Sequence, residues 1–315
     1  MSHKFYNLYG LVIRSDIDLP EVRPETENFT HDVEIIERSV PNNLVGAETF
    51  IGYMDYLGEK CLYRIPEIGR FLVENGQRIT VECEPGANPK DVRAFLFGSI
   101  FGTLLHQRKL VPMHVSGVAT PCGVVAFTGE SGAGKSTLAA TVNNLTGWPI
   151  FCDDIAVLRE IDGQPILESG MLRLKLWKDA LERLNHDPKA VQQDATRFDK
   201  YHLDASDRIA QGKAPLAALV NLAANDQAAL KTVSGAEAFK TLMNSIYRPY
   251  LVPMFSSAES IAQTMLRVLP TIQVFTFERP WSASELNSSA EILKKRFEAA
   301  PKSDHEDQFP RHEIF

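Results

Sequence analysis

The chain lacks most of the features that would place it at a membrane, outside the cell or on nucleic acid. No uninterrupted apolar run reaches the roughly 20 residues of a membrane span, so no membrane association is expected. The opening Met1-Ser-His-Lys-Phe-Tyr does not follow the basic-then-apolar order of a secretory leader. The four cysteines, Cys61, Cys83, Cys122 and Cys152, lie far apart and form no Cys-x-x-Cys pair. That spacing argues against a zinc site or a disulfide frame and fits reduced thiols in the cytoplasm. Basic charge is not in excess: 33 Lys and Arg against 40 Asp and Glu leave a net charge of −7, so nothing would gather nucleic acid. Internal repeats and long low-complexity stretches are also missing.

What is present is enough apolar sequence, 44% of 315 residues, for one large core or two ordinary ones. Residues 1–87 read as mostly β. A strand is expected over 4–14, another over 31–38, and a strand pair over 49–56 and 61–65. A hairpin is expected over 69–74 and 78–83 about Asn75-Gly76, a strong turn signal. Asn88-Pro89 then opens a helix, Asn as cap and Pro in the first turn, with Val92, Phe95, Leu96, Ile100 and Leu104 on one face. From there to about residue 300 strands and helices alternate, and 301–315 reads as a charged, mobile tail. Within this second portion, 113–119 and 271–277 read as strands. The segment 171–177 alternates, with leucines on one face and Arg173 and Lys175 on a solvated other. Residues 186–215 are polar and weakly patterned and read as a long loop.

The chemistry starts at Gly129-Glu130-Ser131-Gly132-Ala133-Gly134-Lys135-Ser136-Thr137. Two glycines four residues apart, then Lys and Ser, form the phosphate-loop pattern. A short apolar β-branched run over 123–127 precedes it and a helical pattern over 135–145 follows. The glycines allow the backbone to curl so that successive N–H groups point at phosphate oxygens, and the helix N-terminus adds positive charge. Lys135 is expected on the outer phosphates and the Ser136 hydroxyl on Mg²⁺. The implied cofactors are therefore ATP and Mg²⁺.

Asp153-Asp154 lies one loop helix and one returning strand later, beginning 18 residues after Lys135. Phosphoryl transfer needs a metal ligand there, and transfer to a hydroxyl gains from a carboxylate base. Two adjacent acids can divide those tasks, or one can cap a turn while the other binds metal. On an ordinary strand adjacent residues face opposite ways, so service to one site requires a turn or bulge at the pair. His114 sits on the strand entering the site, where a satisfied core histidine and a functional one are both compatible with the spacing. Arg173 and Lys175 are either solvated charges or cations that steady transferred phosphate. Tyr247-Arg248, directly after a helix, reads as a helix-end cation.

Three stretches together resemble the catalytic domain of HPr kinase/phosphorylase: 110–119 around His114 and Ser116, the loop 129–137, and Cys152-Asp153-Asp154. The similarity is to its shorter relatives, the HPr-kinase-related serine kinases that include lasso-peptide precursor kinases. It extends to Tyr6-x-x-x-Gly10-Leu-x-Ile-Arg-Ser15, Gly69-Arg-Phe, Leu105-His-Gln-Arg and Leu172–Trp177. The resemblance implies an α/β fold, a phosphate-loop kinase core of the HPr kinase and phosphoenolpyruvate carboxykinase type beside the β-rich N-terminal portion. It implies transfer of the ATP γ-phosphate to a serine hydroxyl of a peptide or small protein, with Lys135, Arg173, His114 and Asp153 in catalysis. On this carry-over Asp153 is the base and Asp154, with Ser136, the metal ligand. The family's glycine-rich signature after the acids is missing from Pro165-Ile-Leu-Glu-Ser-Gly-Met, so the resemblance does not carry HPr or phosphorolysis with it. A kinase of small hydroxylated metabolites and an ATP-binding regulatory module stay open, and a homo-oligomer is compatible with the sequence.

Overall fold

The structure is a computed structural model that describes residues 4–26, 30–50, 53–183, 187–193 and 199–298. The tail expected over 301–315 lies outside them. Helices and three sheets make up a mixed α/β fold.

The N-terminal portion forms one nine-stranded sheet. Its spatial order is Arg23–Pro24, Lys4–Leu8, Leu11–Ser15, Val33–Glu37, Arg78–Cys83, Gly69–Glu74, Lys60–Ile65, Met54–Leu57 and Glu48–Phe50. The expected single strand over 4–14 is a hairpin. Tyr9 and Gly10 both take positive φ, 56° and 70°, and turn the chain back on itself. Asn75 and Gly76 do the same at 55° and 63°, the double left-handed turn that suits a twisted hairpin. The segment 49–56 also divides, into Glu48–Phe50 and Met54–Leu57.

The helix after Asn88 starts as the sequence predicts: the Asn88 side chain accepts from the Lys90 N–H and Pro89 fills the first turn. Its middle, Leu96–Ile100, winds as a π-helical turn between α-helical Pro89–Phe95 and Phe101–Gln107. Phe97, Ile100, Phe101 and Leu104 pack with Ile13, Ile35, Phe71 and Val81 of the sheet in one core, which also takes in Ile155, Val157 and Tyr247 from the second portion.

The second sheet is also nine-stranded and carries the phosphate loop. Strand Gly123–Thr128 lies between Ser116–Thr120, antiparallel, and Lys213–Ala224, parallel; Gln273–Arg279 continues the parallel set. Its side chains alternate. Val125 and Phe127 pack with Leu138 and Val142 of the loop helix and with Leu293 and Phe297 of helix Leu286–Phe297. Val124 and Ala126 pack instead with Leu242, Ile261 and Met265, from helices Gly235–Asn244 and Ala258–Val268. A strand covered by helices on both faces has no polar face, which is why it reads as a continuous apolar run.

Three further expectations need correction. The strand expected over 113–119 breaks at His114-Val115: Val111–Met113 pairs with Ala156–Ile161, whereas Ser116–Thr120 pairs with Gly123–Thr128 and Ile150–Cys152. Segment 186–215 is not a long loop. Its described part holds strands Gln192–Gln193 and Lys200–Asp204, which build a small sheet on Arg173–Trp177, and the start of Lys213–Ala224. Of these strands Lys200 lines a cleft, while Tyr201 and Leu203 turn to the core. Arg173 is not on a solvated face. It is 9% exposed, over the Phe97 ring at 5.6 Å and 4.0 Å from Glu21.

Candidate active site

The phosphate loop joins Gly123–Thr128 to helix Lys135–Thr146. Gly129, Gly132 and Gly134 all have positive φ, and the curl depends on it. Gly134 is doubly constrained: at φ 82° a Cβ would also stand 2.7 Å from Arg279 Nη2. Arg279 is 3% exposed and donates to the Ala133 carbonyl at 3.0 Å and to the Pro280 carbonyl at 3.2 Å. It thus latches the loop to the end of strand Gln273–Arg279. A single arginine ending a strand carries no sequence signal, and this residue is missed in the sequence. Lys135 is folded back, donating to the Gly129 carbonyl at 2.9 Å and the Glu130 carbonyl at 3.1 Å.

Two strand breaks meet beside the loop. His114 lies in one, between Val111–Met113 and Ser116–Thr120. Asp153 and Asp154 lie in the other, between Ile150–Cys152 and Ala156–Ile161. Asp154 has φ 69°, so the acidic pair does turn, and its two carboxylates reach different surroundings.

Asp153 is buried, 5% exposed, on the loop-helix side. Its Oδ1 accepts from Ser116 Oγ at 2.6 Å, its Oδ2 from the Lys175 N–H at 2.6 Å, and Ser116 Oγ is 3.4 Å from Ser136 Oγ. Burial raises the Asp153 carboxyl above its usual value, against the pull of hydrogen bonds from Ser116, Lys175 and Ser136. Asp154 opens into the cleft. Burial acts to raise its carboxyl too, but His114, Lys175, Lys200 and Arg173 together hold it below the usual value. His114 Nδ1 is 3.0 Å from the Asp154 carbonyl and 3.5 Å from its Oδ1. A carbonyl can only accept, so Nδ1 carries the proton; burial lowers the His114 pKa and favours the neutral ring, whose Nε2 is then an acceptor.

The cleft, of about 480 Å³, is lined by Ser131, Lys135, Ser136 and Thr137 on the loop side and by His114, Asp154, Lys175, Lys200, Tyr247 and Arg248 opposite. Lys200 comes from the segment read as a loop and sits over the Trp177 ring at 5.0 Å. Arg248 is more than a helix-end cation: in the left-handed region at φ 49°, it donates to Tyr250 Oη at 2.8 Å and borders the cleft. Arg173 does not line this cleft, although its charge bears on Asp154. Tyr9, at the tip of the first hairpin, is fully buried, with its phenol raised by burial and by the nearby Asp154. The N-terminal sheet therefore reaches the back of the acidic pair.

Among the described residues no group of three or more His, Cys, Asp or Glu side chains is arranged to hold a metal ion. Mg²⁺ does not need one, since it takes one or two carboxylates with substrate phosphates and water. A buried carboxylate one hydroxyl away from Ser136, its pKa raised, fits such an ion.

No family model matches the chain, and no curated protein matches it. Among solved structures, the Hpr(Ser) kinase/phosphatase from Coxiella burnetii is similar over 60% of this chain and 99% of that one, at 12% identity and a TM-score of 0.32. A likeness of this extent assigns neither family nor activity to the chain. Among the described residues no helix is long and apolar enough to cross a membrane.

Proposed function

We propose that the chain is an ATP-dependent kinase that transfers the γ-phosphate to a serine hydroxyl of a peptide or small protein, with lasso-type ribosomal precursor peptides as the first acceptors to try. The observation that carries this reading is the convergence of Lys135, Ser136 and Asp154 in one cleft, with the buried Asp153 carboxylate behind it on Ser116. The serine and peptide parts rest on the resemblance of the His114, phosphate-loop and Asp-Asp stretches to the HPr-kinase-related kinases.

In this reading the N–H groups of 129–137 cradle the phosphates, and Lys135 leaves the Gly129 and Glu130 carbonyls for the outer phosphates. Ser136 and Asp153 would hold Mg²⁺, which neutralises charge on the phosphates as the γ-group moves. Asp154 takes the acceptor proton: it is ionised at neutral pH, faces the cleft and is held by His114. The acceptor oxygen bonds to the γ-phosphorus, the bond from that phosphorus to the bridging oxygen of ADP breaks, and the hydroxyl proton passes to Asp154. Lys175, Lys200 and Arg248 face the transferred charge. This division reverses the expectation that Asp153 is the base and Asp154 the metal ligand. It is favoured because Asp153 is buried one hydroxyl from Ser136, through Ser116, whereas Asp154 is the carboxylate that lines the cleft.

The test is mass spectrometry of serine-containing precursor peptides after incubation with the protein, ATP and Mg²⁺. A gain of one phosphate on serine is expected. Phosphate found only on small hydroxylated metabolites, or ATP binding without turnover on any acceptor, would overturn the peptide-kinase reading.

A further inference from the structure

We propose that a second cleft beside the phosphate loop is a stacking shelf for the nucleobase, walled by Trp177 and Trp281; the inference rests on the nucleotide reading above. The lining of this cleft, of about 240 Å³, includes Gly132, Gly134, Thr137, Trp177, Arg279 and Trp281. It is continuous with the larger cleft, because Gly132, Gly134, Thr137 and Trp177 line both. Asp154, Lys135, Lys175, Lys200 and Arg248 line the larger cleft, whereas the one cation beside the smaller cleft, Arg279, already donates to the Ala133 and Pro280 carbonyls, so the phosphates belong in the larger one. The sugar and base then leave past Thr137, toward the two tryptophans.

Trp281 is otherwise unexplained. It is 52% exposed, one of five large apolar side chains so placed among the described residues. Yet it is not carried on a free strand end. Two residues earlier, Arg279 is buried and bonded to the loop carbonyl of Ala133, so the Trp281 segment is tied to the element that would hold the phosphates. Trp177 is fixed from the other side, by strand pairing with Lys200 and by the Lys200 ammonium over its ring. Trp281 also borders a cleft across the loop, but Trp177 does not line that one, so it offers a single indole face. An indole face offers stacking, which any base can use.

The experiment is calorimetric titration of Mg²⁺-ATP and of Mg²⁺-tripolyphosphate, which has no base, into wild type, Trp281→Ala and Trp281→Phe. Removing one stacking ring should weaken ATP binding about ten- to a hundredfold. Tripolyphosphate binding should stay unchanged in both variants, and Phe should keep most of the ATP affinity. Trp281 is exposed, so its loss should not disturb folding. Equal ATP affinity in Trp281→Ala and wild type, or equal losses for both ligands, would overturn the shelf while leaving the phosphate loop intact. Wild type binding neither ligand would overturn the nucleotide reading, and the shelf with it.

Discussion

Arg173→Ala should destabilise the fold, which is the opposite of what a solvated strand face would give. The guanidinium is about nine-tenths buried, stacked over Phe97 and next to Glu21. Breaking a buried ion pair costs about 3–5 kcal/mol when it strands the partner charge. Here Glu21 is not stranded: Arg93 Nε lies 2.9 Å from both of its oxygens, whereas Arg173 is 4.0 Å away. The loss is therefore mainly the packed stem and the cation–ring contact, about 1.5–3 kcal/mol. For a chain of this size that is a fall in Tm of about 2–5 °C. Urea unfolding followed by circular dichroism measures it, and Arg173→Met, which keeps the stem on Phe97, should recover about half. A change within about 0.5 kcal/mol, the range of a surface substitution, would refute the argument and return Arg173 to the solvated face read from the sequence.

Two further outcomes follow from the acidic pair and from the buried His106 and half-buried His114. Asp153→Asn should weaken Mg²⁺-dependent ATP binding, whereas Asp154→Asn should leave it nearly intact and cut single-turnover transfer by roughly 10²–10⁴-fold; exchanged phenotypes would restore the original assignment, and equal loss of ATP binding would leave no dedicated base. Burial lowers the pKa of both His106 and His114 from 6.5. The unfolded chain therefore binds more protons as pH falls below 6.5, and stability present above that value is lost toward the folded pKa values. Tm should fall between pH 7 and pH 5.5 and fall less in His106→Gln; a flat profile, or one rising toward acid, would contradict the burial argument.

The elements legible in the sequence are those specified locally. Asn75-Gly76, Asn88-Pro89 and the strand, glycine loop and helix at 123–146 each carry their signal within a few residues, and each stands in the structure. The need for a turn at Asp153-Asp154 could be argued from strand geometry alone, and Asp154 makes it. What was illegible depends on distant partners. Lys200–Asp204 is a strand only because Arg173–Trp177 pairs with it. Arg279 matters only because Ala133 offers its carbonyl, and Tyr9 only because its hairpin tip is driven behind Asp154. The burial of Arg173 has the same origin: strand alternation shows which residues share a face but not what covers it, and here the helix from Pro89 does.

The central claim is that this loop and cleft transfer phosphate, and one measurement meets it directly. γ-Labelled ATP is incubated with Mg²⁺, a serine-containing precursor peptide and either wild type or Lys135→Ala, and the label is followed to peptide and to free phosphate. Label on peptide serine is expected with wild type and none with Lys135→Ala, because on the proposed reading Lys135 is the cation of the phosphate loop that holds the outer phosphates for transfer. Equal transfer by the two proteins would contradict it.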